Sequence, residues 1–152
     1  MTDRRRRQIL MTGLAAPLML ALGPARATPG AMQAAIAAFT GGAEVQEGRV
    51  TLKIPLLVEN GNSVPLTVSI DSPMTQADHV EQIAIFNEVN PLPDTVRFRL
   101  SPHAGLAEVE TRIRLNGTQN VHAIARMSDG SYWSAVTDVI VTAPACEEEI
   151  PS

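Results

Sequence analysis

The chain has 152 residues, 45% of them hydrophobic, with 12 basic against 16 acidic side chains and a formal charge of −4. That length is one domain with enough chain to bury a core. The acidic balance excludes a protein that works by binding nucleic acid or an anionic lipid surface.

Residues 1–27 have the layout of an export signal rather than of a fold. Arg4 to Arg7 form a charged start, Ile9 to Leu22 an apolar run broken by Gly13 and Pro17, and Ala25-Arg26-Ala27 a small-x-small cleavage site. Paired arginines just before the apolar run point to the twin-arginine (Tat) route into the periplasm. The run is too short and too interrupted to be a good membrane span. Cleavage would start the mature chain near Thr28 and leave 7 basic against 15 acidic residues, a net charge of −8.

Residues 31–39, AMQAAIAAF, read as a short helix. Met32, Ile36 and Phe39 share one face, alanine supplies the propensity, and Gly41-Gly42 stops it. From Val50 the apolar period changes to two. Val50, Leu52, Ile54, Leu56 and Val58 alternate with other residues, and so do Val64, Leu66, Val68 and Ile70. Asn60-Gly61-Asn62 between them predicts a hairpin or a tight strand connection. Further strands are expected at Val80–Phe86, Val96–Leu100, Val109–Leu115, Val121–Ala125 and Tyr132–Val141. Their separators are Asn90-Pro91-Leu92-Pro93-Asp94, Ser101 to Gly105, Asn116-Gly117 and Ser128-Asp129-Gly130. About seven short strands between turn signals predict an all-β protein, an immunoglobulin-like antiparallel β-sandwich with a short N-terminal helix. Residues 28–142 form the domain and residues 143–152 a C-terminal arm.

That arm, within "VTAPACEEEIPS", carries the only cysteine, Cys146. An exported protein with a single thiol cannot use it for an internal disulfide, so it is incidental or reacts outside its own chain. Catalytic and metal readings find little support. His79, His103 and His122 lie on no ligand spacing, no metal or cofactor is expected, and no histidine follows Cys146 as a copper site would need. Glu147, Glu148 and Glu149 give the thiol the opposite of the basic or cationic surroundings that a cysteine nucleophile needs. A thiol on a short arm can instead enter the pocket of another protein and serve as an attachment point. Trp133 is open to two roles, core residue or interface anchor.

Four stretches carry a resemblance: "ENGNSVPLTVSIDSPM" (59–74), "DHVEQIAIFNEVNPLP" (78–93), "TRIRLNGTQNVHAIARMSDGSYW" (111–133) and "VIVTAPAC" (139–146). Together they resemble the SoxY family, the sulfur-carrier subunits of the SoxYZ complex in periplasmic thiosulfate oxidation. The resemblance implies a sandwich paired with a SoxZ-like subunit as a heterodimer. It also implies a carrier acted on by other proteins rather than an enzyme. Its partners would be a c-type cytochrome that couples thiosulfate oxidatively, a hydrolase that releases sulfate, and a sulfane dehydrogenase. The family's covalent sulfur attachment point maps onto Cys146. The family arm typically reads Gly-Gly-Cys-Gly-Gly, whereas this one has Pro144-Ala145 before the cysteine and three glutamates after it. Glycines make an arm slender and free, which proline and glutamate do not. The carboxylates would repel an anionic adduct. Two readings follow: a variant carrier, or a periplasmic interaction module that pairs with a second β-sandwich subunit without sulfur loading.

Overall fold

A computed structural model describes residues 28–146. The signal region, residues 1–27, and Glu147 to Glu149 lie outside the described residues. Helix α1 runs Pro29–Thr40, followed by nine strands. These are β1 (Val45–Glu47), β2 (Val50–Lys53), β3 (Leu57–Val58), β4 (Val64–Ile70), β5 (Val80–Asn87), β6 (Asp94–Arg99), β7 (Glu108–Ile113), β8 (Gln119–Met127) and β9 (Tyr132–Val141). A 3-10 turn covers Pro102–Ala104.

Local chemistry sets both ends of α1. The Thr28 hydroxyl accepts from the Ala31 N–H at 3.1 Å, and Pro29 occupies a first-turn position where no N–H is needed. Gly41 is left-handed at φ 64°, and the Gly42 N–H donates to the Ala37 carbonyl at 3.0 Å. That is a Schellman end, which a side chain at Gly41 would strain.

The strands form two sheets. One has the order β1-β9-β8-β5-β6, with β3 also paired to β9; the other has the order β2-β4-β7. Both β1 and β3 run parallel to β9, pairing at Tyr132–Ser134 and Ile140–Val141. The other strand pairs are antiparallel. Alternation explains the layering. Val64, Leu66, Val68 and Ile70 of β4 point inward to meet Ile83 and Ile85 of β5, Val121, Ala123 and Ala125 of β8, and Val139 of β9. The other face of the larger sheet sends Ala84, Phe86, Ile124 and Tyr132 against Met32 and Phe39 of α1. Phe39 lies 5.8 Å from Phe86 and 5.7 Å from Tyr132, tilted and edge-on. Such pairs contribute roughly 0.5–1.5 kcal/mol each beyond area burial.

The sandwich and its helix match the sequence reading, and the strand count exceeds it by two short elements. The run at 50–58 is two strands, because Ile54-Pro55-Leu56 lets the chain leave one sheet for the other. Asn60-Gly61-Asn62 is therefore not a two-residue hairpin turn. β3 before it joins β9, while β4 after it pairs with β2 and β7.

Candidate functional site

The thiol of Cys146 is free and exposed, five residues beyond the end of β9. The segment leading to it does not project from the domain. The Gly61 N–H donates to the Ala143 carbonyl at 2.8 Å, and the Ala145 N–H donates to the Leu115 carbonyl at 2.9 Å. The Cys146 N–H donates to Oδ1 of Asn62 at 3.2 Å. Ala145 is 5% exposed, so its methyl group is packed into the domain.

The socket is made by two loops. Gly61 is buried and touches main chain on both sides: its N–H holds Ala143, and its carbonyl accepts from the Leu115 N–H at 2.8 Å. A Cβ on it would collide with the Leu115 carbonyl oxygen and come to 2.7 Å from the Ala145 nitrogen. Glycine is required here by space, since two stretches of backbone cross at that point. Asn60 then orients Asn62. Its Oδ1 accepts from the Asn62 N–H at 3.0 Å and from Nδ2 of Asn62 at 3.1 Å. Both bonds leave Oδ1 of Asn62 for the Cys146 amide.

The second loop, which carries Leu115, is held by a buried polar network. Asn90 donates to the Arg114 carbonyl at 2.7 Å, and its Oδ1 accepts from the Asn116 N–H and from Nε2 of Gln119, each at 3.1 Å. Oε1 of Gln119 accepts from the Val89 N–H at 3.0 Å. The Thr118 hydroxyl accepts from the Val141 N–H at 3.0 Å, tying the same loop to the end of β9. Asn90 and Gln119 are buried, and these bonds offset their desolvation.

The other residues singled out in the sequence are dispersed. His79 caps the start of β5, with Nδ1 3.0 Å from the Thr75 carbonyl oxygen; His103 lies in the 3-10 turn; His122 is on β8. Among the described residues, no three His, Cys, Asp or Glu side chains gather into a metal-sized cluster. Trp133 is half-buried against the main core, its Nε1 donating to the Ser131 hydroxyl at 3.1 Å and the Arg49 guanidinium 5.7 Å from its ring. The grooves of about 550 Å³ at Leu52 to Leu56 and about 230 Å³ at Pro55 to Pro65 are lined without Cys146.

Among the described residues, one face stays partly uncovered. Beyond the reach of α1, the outer side of the larger sheet shows Leu57, Val136 and Ile140, with Leu57 opposite Ile140 and His122 opposite Val136. Glu88 and Asp138 flank it; Glu88 accepts from the Asn120 amide. Burial lowers the His122 pKa, and the Glu88 charge opposes that shift more weakly. The fold therefore favours the neutral imidazole. The stability this gives is complete above the ordinary histidine value of about 6.5 and is lost as pH falls through the lower folded value. An NMR titration should place the His122 midpoint below that of a free histidine. Glu88→Gln should move it lower still; a midpoint at or above the ordinary value would contradict the assignment.

Residues 36–146 match the family model described as sulfur oxidation protein SoxY. Among solved structures, the sulfur carrier protein SoxY from Chlorobium limicola f thiosulfatophilum is similar at 31% identity and a TM-score of 0.63, covering 74% of this chain and 92% of that one. A superoxide reductase (neelaredoxin) from Ignicoccus hospitalis is 18% identical with a TM-score of 0.55, over 62% of this chain and 80% of its own. A superoxide reductase from Nanoarchaeum equitans is 11% identical with a TM-score of 0.53, over 63% of this chain and 100% of its own. At those identities the two reductases share the fold alone. No curated protein matches the chain in sequence.

Proposed function

The chain belongs to the SoxY family, and from that premise we propose that Cys146 is the covalent attachment point for sulfur intermediates during thiosulfate oxidation. One observation carries the reading: the only cysteine is free, exposed and held at the end of a docked segment. The loading step balances as an oxidation. Cys146–SH and thiosulfate form Cys146–S–S–SO₃⁻, releasing a proton and an electron pair to a c-type cytochrome. Water then cleaves the terminal S–S bond on a hydrolase, giving sulfate and a Cys146 persulfide. A sulfane dehydrogenase would oxidise the sulfur that remains. The chain is the carrier in this scheme, and its partners perform the reactions. Intact mass spectrometry of the complex, with and without thiosulfate, tests it.

The Sox system in which this family works is periplasmic. The arginine-led apolar segment before Thr28 supports export by the Tat route, with cleavage after Ala27.

The heterodimer with a SoxZ-like subunit is supported by the uncovered outer face. Val136 stands there, in the stretch of β9 that pairs with neither β1 nor β3, and is 52% exposed. A cluster of exposed apolar side chains beside an open strand edge suits a second β-sandwich. Val136→Asp should leave the melting temperature nearly unchanged and weaken the heterodimer by about tenfold or more, read by titration of one subunit with the other. Unchanged affinity would move the interface elsewhere. The same face favours a second reading, an interaction module that pairs without loading. A stable complex with an unmodified thiol would establish that reading.

A further inference from the structure

We propose that Asn62 is a positioning residue that clamps the main chain of Cys146, so that the thiol is presented from a fixed point on the domain instead of from a swinging arm. The inference rests on the carrier reading for its purpose and on geometry for its mechanism. Three successive anchors hold residues 143 to 146: the Gly61 N–H on Ala143, the Leu115 carbonyl on Ala145, and Oδ1 of Asn62 on Cys146. Pro144 lies between the first two anchors, where its ring fixes φ and removes a degree of freedom.

The amide of Asn62 is oriented from both ends. Its Nδ2 donates to Oδ1 of Asn60 and its Oδ1 accepts from the Cys146 N–H, so a reversed amide would lose both bonds. Swinging the arm out would break the anchors and expose the buried Ala145 methyl group. The Pro-Ala pair that departs from a glycine arm then has a physical account. Proline stiffens the span, and the alanine methyl fills a seat in the domain that glycine would leave empty. A partner must come to this thiol at the edge of the Asn60–Asn62 loop, and specificity for the loop becomes part of loading.

Mature wild-type chain in complex with its partner subunit should be compared with Asn62→Ala and Asn62→Asp. In the wild type, hydrogen exchange at the Cys146 amide should be slowed at least tenfold relative to an unstructured residue. Asn62→Ala should abolish that protection, and Asn62→Asp should restore only part of it, since a carboxylate accepts from the Cys146 N–H but has no N–H to donate to Oδ1 of Asn60. The melting temperature should stay within a few degrees, because Asn62 is exposed. Thiosulfate loading of Asn62→Ala should become several-fold slower at saturating thiosulfate. A wild-type Cys146 amide that exchanges at the unstructured rate would overturn the clamp. So would undiminished loading in an Asn62→Ala chain whose amide has been freed. A wild type that never loads would sink the carrier reading separately, and amide exchange would then decide the clamp alone.

Discussion

Replacing Cys146 by serine should abolish every thiosulfate-dependent adduct on the chain while leaving its fold and its partner binding intact. Serine differs from cysteine by one atom, and Cys146 is exposed and bonded to the domain only through its main chain. Packing therefore has no reason to change, and the stability effect should lie within about 0.5 kcal/mol. The chemistry changes completely. Loading needs a sulfur–sulfur bond, and a hydroxyl cannot form one. The measurement is the intact mass of the co-expressed complex with and without thiosulfate and the oxidising cytochrome. An adduct present in wild type and absent in Cys146→Ser would establish the carrier. An adduct persisting on the serine variant would place the cargo on another residue and refute the assignment.

Gly61→Ala should have the largest effect on stability of any methyl-sized change in the socket. The added Cβ collides with the Leu115 carbonyl oxygen, and the Ala145 nitrogen and Ala143 oxygen stand at 2.7 and 3.1 Å. All three neighbours are main chain, so no side chain can rotate away. Relief requires the 143–146 segment or the 114–118 loop to move, which strains the bonds of Gly61 to Ala143 and Leu115. Overpacking and weakened hydrogen bonds together should cost about 2–3 kcal/mol. Thermal unfolding would register that as a fall of several degrees. Gly30→Ala is the control. There the nearest atom is the Thr28 hydroxyl at 3.8 Å, within α1, so alanine should be neutral or stabilising by up to about 1 kcal/mol. Equal effects at the two glycines would remove the steric argument for Gly61.

The parts of the fold written in local periodicity were legible in the sequence. β9 was expected at Tyr132–Val141 and has those ends, because its buried and exposed residues sit between a clear turn and a proline-bearing tail. The helix differs from its expected span of 31–39 only at its ends, where Thr28 and Pro29 start it early. β1 was missed, since Val45-Gln46-Glu47 exposes two of its three residues and is a strand only through β9. β3 has two residues and was merged with β2 because a sheet switch leaves the apolar period intact. The thiol was visible because it is alone. Its socket was not. Asn-Gly signals a hairpin turn by its own backbone freedom, and nothing local shows that Gly61 must admit the chain end or that Asn62 must accept from Cys146. Asn90 reads simply as a loop residue in the sequence and Gln119 falls outside the expected strand at Val121–Ala125, since their burial depends on each other.

The placement of β9 also governs the order in which the molecule can assemble. β9 is the last of the described strands to be synthesised, and it pairs with β8, β1 and β3. Until it emerges, β1 and β3 have no partner strand and the larger sheet ends at β8. Pairings this distant in sequence raise the entropy of closure and put the chain among slow folders, on the scale of milliseconds to seconds. The segment bearing Cys146 follows directly from β9, so it reaches the Gly61 socket only after the sheet is complete. A seated thiol is therefore a certificate of a finished fold: a chain cut short or misfolded at its C-terminal end offers partners no docked cysteine to charge.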